Sequence, residues 1–145
     1  MGLLQERIAV THPQDHVTFV EADLAVSQDD TPLHRVATSI TAKIDAVEAV
    51  MPWAGSVVGI AYKLAADKTD GALEFHPSIN GVAAAFGVVA ADDVDHGSAV
   101  QAHGRTRFNA GDRLGCMYSS DADLLPAASN DVMVDVYVVF DGVTL

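Results

Sequence analysis

The feature that most constrains this chain is a strict alternation of apolar and polar side chains close to its C-terminus. Successive side chains of a β-strand point to opposite faces, so a period of two indicates a strand with one buried face. Asp135 and Tyr137 occupy the outward positions of this run. The alternate positions, which we expect to face a core, are Val132, Val134, Val136, Val138 and Phe140. The run therefore predicts a half-buried strand over residues 132–140.

Alternation of the same period recurs along most of the chain, and turn-forming residues separate the runs. The further runs cover residues 18–26, 36–45, 56–64, 73–79, 82–88, 100–106 and 114–118. Between two of them, residues 91–98 are predicted to form an acidic loop. About eight short strands with no convincing helix favour an all-β antiparallel sandwich or barrel over an α/β fold.

The N-terminal residues lack this period. His12 to His16 is rich in turn-forming residues, and we predict that residues 1–16 form an N-terminal arm or irregular lead-in. A chain of 145 residues fits one domain, large enough to bury a core without a disulfide or metal. Residues 17–145 are therefore predicted to form a single β-sandwich domain, whose first strand, residues 18–26, turns Val20 and Val26 inward.

Residues 40–51 fit two periods. Ile40, Ile44, Val47 and Met51 lie at helical spacing, while residues 36–45 alternate with a period of two. Pro52 would end a helix within two turns, so we predict a strand. The alternation changes phase near residues 46 and 47, where a bulge or break is expected.

The charge of the chain argues against several classes of partner. Asp and Glu number 20 against 8 Lys and Arg, giving a net charge of −12, which opposes binding to nucleic-acid phosphates. No apolar run approaches the ~20 residues that span a bilayer, and residues 1–7 lack the features of a signal peptide. Cys116 is the single cysteine, so an internal disulfide is excluded, and we expect this thiol to be buried.

Two turns stand out between the predicted strands. Asn80 and Gly81 separate two alternating runs, and Asn-Gly is the strongest short-range hairpin signal because both residues tolerate positive φ. Residues 109–112 read as a second tight turn, in which Gly111 supplies the positive φ. Phe108 is predicted to pack beside this corner, and Leu114, Cys116 and Tyr118 to share one face of the following strand.

Three segments carry a resemblance to a known family. The stretch Phe108 to Leu114 resembles the F-x-x-G-D-x-(aliphatic) corner near the end of jelly-roll sandwiches of the C1q and tumour-necrosis-factor type. Pro52 to Ile60 is similar to an alanine-glycine turn and strand of viral jelly-roll proteins, and the Asn80-Gly81 turn is the third match. The chain from residue 35 to 145 thus resembles capsid decoration and fibre-head proteins of tailed viruses.

The resemblance implies a jelly-roll body with a short N-terminal arm and a structural role in the virion. It implies a homotrimer on the capsid surface that binds the major capsid protein and itself, without a cofactor, nucleic acid or membrane as partner. Two alternatives stay open. One is a receptor- or glycan-binding fibre-head module, and the other is a cellular C1q-like or storage protein.

Few residues suggest chemistry. Asp92, Asp93 and Asp95 could hold a hard cation through oxygen ligands, but they lack the spacing of a calcium loop, and acidic proteins often contain such clusters. His12 and His16 lack a third ligand at a useful spacing. The chain contains no nucleophile elbow, zinc-binding helix motif or phosphate-binding glycine loop, so no catalytic residue is predicted and an enzyme is not expected.

Three residues are candidates for contact with another subunit or with the capsid. Arg105 and Arg107 are predicted to project from one side of a strand in an otherwise acidic chain, and guanidinium groups there could pair with carboxylates of a neighbouring subunit. The alternative is pairing with carboxylates of their own sheet. Trp53 could contact a partner or, with Tyr137, a glycan, or it could cap the core at a strand end.

Overall fold

The computed structural model describes residues 10–11, 13–35 and 47–144. These residues form strands and loops with no helix, arranged as antiparallel sheets in a sandwich. The prediction of an all-β sandwich is confirmed. The predicted strand over residues 36–45 and the first part of the ambiguous segment lie outside the described residues, whereas residues 48–50 form a strand, as predicted.

The strands differ widely in length. In chain order they are β1 (Val10–Thr11), β2 (Gln14–Glu21), β3 (Thr31–Pro32), β4 (His34–Arg35), β5 (Glu48–Val50), β6 (Gly55–Lys68), β7 (Leu73–Ile79), β8 (Val82–Ala83), β9 (Val88–Val89), β10 (Val94–Val100), β11 (Thr106–Phe108), β12 (Arg113–Ser120), β13 (Val132–Phe140) and β14 (Val143–Thr144).

The strands form two main sheets. The first has the order β10-β6-β13-β2-β4, and β11 pairs with β6 beyond the end of β10. The second has the order β3-β12-β7-β8, with β5 also on β12 and β9 also on β7. All these pairs are antiparallel, and the chain passes repeatedly between the sheets, from β6 to β7, β9 to β10 and β12 to β13. This connectivity is that of a jelly roll, as predicted.

The core lies between the two sheets. The inward residues of β13 named from the alternation are all buried, whereas Tyr137 is 41% exposed. Tyr62 on the first sheet and Phe75 on the second bring their ring centroids within 5.1 Å of each other. This contact joins the two sheets, because it buries apolar surface of both rings and because aromatic rings at this distance attract each other. The period-two pattern therefore identifies the inner face correctly.

Both predicted turns are present and they contact each other. Asn80 and Gly81 have φ angles of 51° and 81°, and Gly111 has a φ of 88°. The carboxylate of Asp112 accepts hydrogen bonds from the backbone N–H of Asn109, at 2.8 Å, and from Nδ2 of Asn80, at 3.1 Å. These bonds, the Asn109 bond most of all, lower the pKa of Asp112. Phe108 is buried beside this corner, as predicted.

The first predicted strand is displaced. Strand β2 starts at Gln14, inside the predicted lead-in of residues 1–16, and ends at Glu21 instead of Val26. Val26 is 40% exposed, so its predicted inward position is wrong. The strand starts and ends earlier than predicted because β13 provides hydrogen-bonding partners for every residue from 14 to 21. The polar residues at 14–16 pair at the sheet end, where the alternation carries little hydrophobic signal.

The region from residue 82 to 106 is the other correction. The predicted strand over 82–88 is reduced to β8 and β9, and the predicted acidic loop over 91–98 contains β10. In turn, the predicted strand over 100–106 is interrupted after Val100 by a turn that includes Gly104, with a φ of 93°. Strand β10 forms because β6 offers it a free edge, and its acidic residue Asp95 is paired with Lys63 of that strand.

A buried asparagine ties the loop before β13 to the first sheet. Asn130 is 1% exposed, its Oδ1 accepts from the N–H of Ala66 at 3.0 Å, and its Nδ2 donates to the Ala66 carbonyl at 3.2 Å. We expect Asn130→Ala to lower the free energy of unfolding by about 1–3 kcal/mol, because these backbone groups lose their partner. Urea titration against the exposed control Ser129→Ala measures this, and equal midpoints would contradict it.

Candidate interaction surface

One sheet surface combines exposed apolar groups with small residues. It is the outer side of the first sheet, where strand register places eight side-chain positions in two cross-strand rows. We call these eight residues the first-sheet face. The first row is Val100, Gly59, Tyr137 and His16, and the second is Ser98, Ala61, Asp135 and Thr18.

The first row carries the largest exposed groups of this face. Val100 is 84% exposed and Tyr137 is 41% exposed. The Tyr137 ring lies beside Gly59, where an added Cβ would be 3.7 Å from Cδ2 of the ring. On its other side the ring centroid is 5.6 Å from that of His16. Gly59 therefore leaves a shallow depression between Val100 and an aromatic pair.

The first-sheet face carries little charge in a strongly acidic chain. Its single carboxylate is Asp135, which accepts a hydrogen bond from the hydroxyl of Thr18. Ion pairs lie beyond it on the same sheet, Lys63 with Asp95 and Arg107 with Asp141. The outer side of the second sheet also carries charge, since Glu74 lies 3.3 Å from His76 and Glu48 lies 3.8 Å from Arg113. Copies of a chain with net charge −12 repel each other, so a surface with almost no charge is where they approach at least cost.

The sequence pattern did not reveal this face. Val100 was predicted to begin a half-buried strand, but it ends β10 and points outward opposite Gly59. Gly59, Ala61 and Ser98 supply three of its eight positions, and their hydropathy signal is small. The alternation of β13 did place Asp135 and Tyr137 outward.

Two of the three aspartates considered for a metal site, Asp92 and Asp95, pair with lysines. Asp92 accepts from the buried ammonium of Lys68, and Asp95 accepts from Lys63. The Lys63 bond, followed by a 2.8 Å bond from His96, lowers the pKa of Asp95 to about 2. Within the described ranges, no group of three or more His, Cys, Asp or Glu side chains is placed to hold a metal ion. These carboxylates neutralise lysines of β6 instead of converging on one point.

Because Lys68 pairs with Asp92, we expect the adjacent residues Asp92 and Asp93 to contribute differently to the free energy of unfolding. Lys68 is 3% exposed, whereas Asp92 is 55% exposed, so solvent weakens the attraction only in part. We expect Asp92→Asn to lower the free energy of unfolding by about 1–2 kcal/mol, since it leaves a buried ammonium without its anion.

The neighbouring Asp93→Asn is the matched control for this change. Asp93 is exposed with a φ of 63°, which asparagine tolerates. Chemical denaturation at neutral pH compares the two variants. Equal unfolding midpoints for both would show that the Lys68 pair contributes nothing.

The two arginines proposed for subunit contact are not on one strand. Arg107 lies in β11, and its Nη2 is 2.6 Å from Oδ2 of Asp141. This bond is the main cause of a lowered pKa of Asp141, to which His103 also contributes. Arg105 is exposed in the turn before β11. Arg107 thus pairs within its own chain, which is the alternative left open above, and a contact of either arginine with a partner stays a prediction.

Trp53 packs against the core and is also partly exposed, so its contact with a partner or a glycan stays a prediction. Its ring packs edge-on against Phe140, with centroids 5.4 Å apart, yet the residue is 47% exposed. It lines a cleft of about 350 Å³ at the margin of the sandwich, together with Asp15 and Arg35. Trp53 therefore caps the core with one edge and presents the rest of the indole to the cleft.

Cys116 lies in the core, as predicted. It is 1% exposed and has no disulfide partner, being the single cysteine of the chain. Burial raises the pKa of the Cys116 thiol far above its usual range. A buried neutral thiol is a poor nucleophile, so Cys116 serves as a small core side chain.

Comparisons with known protein families and with curated proteins find no match to this chain. Among the described residues, no helix has the length and hydrophobicity needed to cross a membrane. The function proposed below is therefore drawn from the geometry of the first-sheet face and from the resemblance of the three short segments.

Proposed function

We propose that this protein is a structural component of a virion that decorates and stabilises a viral capsid. It acts as a homotrimer on the capsid surface, with the first-sheet face turned toward the threefold axis. The major capsid protein is its other partner. The protein performs this role by covering and joining surfaces, and the proposal requires no cofactor.

The observation that carries this proposal is the exposed, nearly uncharged first-sheet face in a chain of net charge −12. An apolar side chain that is 84% exposed on the edge strand of a sheet gains about 25 cal/mol for every Å² that a partner covers. Symmetric copies supply such cover, and most soluble homo-oligomers use closed symmetry of this kind. The choice of three copies comes from the resemblance to jelly-roll decoration proteins.

The three segments that carry the resemblance support the proposal by their structural roles. Phe108 packs against Phe140 with ring centroids 6.1 Å apart beside the Gly111 corner. Gly55 begins β6 so close to β13 that an added Cβ would lie within 3 Å of the Phe140 backbone. Asn80 and Gly81 close the hairpin from β7 to β8. Each motif thus lies at a corner of the jelly roll, where its residues provide a ring contact, a close approach of two strands or a tight turn.

Capsid association tests the proposed function. The purified protein is added to undecorated capsids of the source virus and sedimented with them, and purified virions are analysed by gel for a band at 15.2 kDa. The proposal expects saturable co-sedimentation and a band in stoichiometric amount. Absence of both would overturn it.

A second candidate function is a glycan-binding fibre-head module, which the Trp53 cleft favours. An indole offers a platform for the apolar face of a sugar, and the carboxylate of Asp15 and guanidinium of Arg35 offer hydrogen bonds to hydroxyls. A glycan array probed with the protein and with Trp53→Ala separates the candidates. Specific glycan binding that is lost in Trp53→Ala, without capsid association, would favour the module.

A further inference from the structure

A second surface lies at one end of the sandwich, between the loop of residues 22–30 and the loop of residues 121–131. The first loop follows β2, and the second connects β12 to β13. Between them lies a groove of about 450 Å³, which we call the loop-end groove. Its lining residues are Asp23, Leu24, Ala25, Val26, Ala127 and Ala128.

The two loops hold each other in place. The N–H of Ala128 donates to the Leu24 carbonyl at 2.7 Å, and the N–H of Leu24 donates to the Asn130 carbonyl at 2.9 Å. Ala128 has a φ of 55°, a conformation that alanine adopts only when its surroundings impose it. Asn130, bonded to β6 as described above, anchors the same loop. The groove is therefore preformed, which reduces the ordering that binding requires.

The lining of the groove is apolar and its residues are small. Leu24 is completely buried and forms the floor, and Val26 is 40% exposed at the side. Ala25, Ala127 and Ala128 leave the groove open above Leu24. A volume of this size accommodates one aliphatic side chain of a partner with part of its backbone.

The two loops that form the groove are strongly acidic. They contain six aspartates and no lysine, arginine or histidine, namely Asp23, Asp29, Asp30, Asp121, Asp123 and Asp131. Asp23 lines the groove, and Asp131 lies at its edge, because its carboxylate accepts from the N–H of Asp23 at 2.9 Å. These two aspartates form the rim of the groove, and their negative charge favours a partner with positive charge.

We propose that the loop-end groove docks a short segment of a partner protein that carries one aliphatic side chain flanked by lysine or arginine. The aliphatic side chain lies over Leu24 between the two loops, and the basic residues face the aspartates of the rim. Two copies of this chain do not join groove to groove, because both would present like charges to each other. The chemistry of the segment is argued from the groove alone, and only its source, the major capsid protein, rests on the proposed function.

Synthetic peptides test this inference with the full chain. The probe is Gly-Lys-Arg-Leu-Arg-Lys-Gly with a fluorescent label, and the matched peptide has serine in place of leucine. Fluorescence anisotropy is expected to show binding of the leucine peptide that weakens as salt is raised. The serine peptide is expected to bind about tenfold more weakly or worse, because it buries no aliphatic side chain.

Variants of the protein distinguish the groove from the rest of the acidic surface. Ala25→Leu fills the groove and is expected to remove the preference for leucine, whereas Ala122→Leu, an exposed alanine outside the groove, is expected to keep it. Asp23→Asn is expected to weaken binding about twofold to threefold, because Asp23 lines the groove, and Asp15→Asn, at the opposite end of the sandwich, to leave it unchanged. Urea midpoints verify that each variant folds.

Equal affinity for both peptides, or no binding of either at low salt, would overturn the proposal. The result is also separable from that of the capsid experiment. Selective peptide binding without capsid association would retain the groove chemistry and reject the capsid protein as the source of the segment. Capsid association without selective peptide binding would retain the proposed function and reject the groove.

Discussion

Val100→Asp is expected to convert the proposed homotrimer into monomers without unfolding the subunit. Val100 is 84% exposed in the single chain, so the substitution removes no contact within the subunit, and surface changes of this kind alter stability by about 0.5 kcal/mol or less. In the trimer the same position would hold an unpaired carboxylate near the threefold axis, close to its own copies. We expect subunit affinity to fall by about 100-fold or more, measured by sedimentation velocity across a dilution series.

The matched control for this prediction is Val82→Asp. Val82 is 70% exposed on the second sheet, at the hairpin that follows Gly81. It adds the same charge and removes the same side chain outside the first-sheet face. If Val82→Asp dissociates the protein as strongly as Val100→Asp, added negative charge alone explains the effect and the first-sheet face loses its assigned role.

Phe75→Ala is expected to lower the free energy of unfolding by about 3–5 kcal/mol. Phe75 is completely buried between the two sheets, where it meets Tyr62, and removal of a buried phenyl ring leaves a cavity that the surrounding strands fill only in part. This loss is a large share of the roughly 5–15 kcal/mol by which domains are stable. Urea titration of the variant against the parent protein measures it.

Phe75→Leu and Glu74→Ala are the comparisons for this change. The leucine variant retains most of the apolar volume and is expected to lose clearly less than Phe75→Ala, with a midpoint between those of Phe75→Ala and the parent. Glu74 precedes Phe75 on the outer side of β7, and its removal is expected to change little. A loss below about 1 kcal/mol for Phe75→Ala would mean that the two sheets do not share the core described above.

The long strands could be predicted because their hydrophobic pattern is unambiguous. Strand β13 alternates cleanly over its length and β7 does so over residues 73–77, whereas β12 is buried continuously over residues 114–118; each contributes an inner face to the core. The Asn80-Gly81 hairpin was predictable for a different reason, since the residue types themselves tolerate the positive φ that the turn uses. Sequence pattern and backbone chemistry agree at these places, and the fold class followed from them.

Strand β10 could not be predicted, because it is an edge strand whose stability comes from β6. Its residues include Asp95, His96 and Gly97, and its burial alternates only weakly. The lysine that pairs with Asp95 of this strand, Lys63, is 32 positions away in the chain. The pairing of β10 therefore depends on the assembled sheet. Because β10 was not predicted, the outward position of Val100 at its end was not predicted either.

The candidate surfaces were hidden for a related reason. The first-sheet face contains the small residues Gly59, Ala61 and Ser98, and the loop-end groove is open because alanines line it. Small residues shape these surfaces by leaving space open beside larger side chains. A hydropathy pattern gives no signal for such open space. The acidic composition was visible in the sequence, but only the fold shows that the first-sheet face is almost free of charge while the loop end gathers six aspartates.

The mass of the protein in solution tests the central claim most directly. Size-exclusion chromatography with multi-angle light scattering, run over a hundredfold range of concentration, measures that mass without a standard. If symmetric copies cover the first-sheet face, the measured mass is expected to be three times the chain mass of 15.2 kDa. A mass of 15.2 kDa at every concentration would contradict the account, because the exposed valine and tyrosine of that face would then be left uncovered.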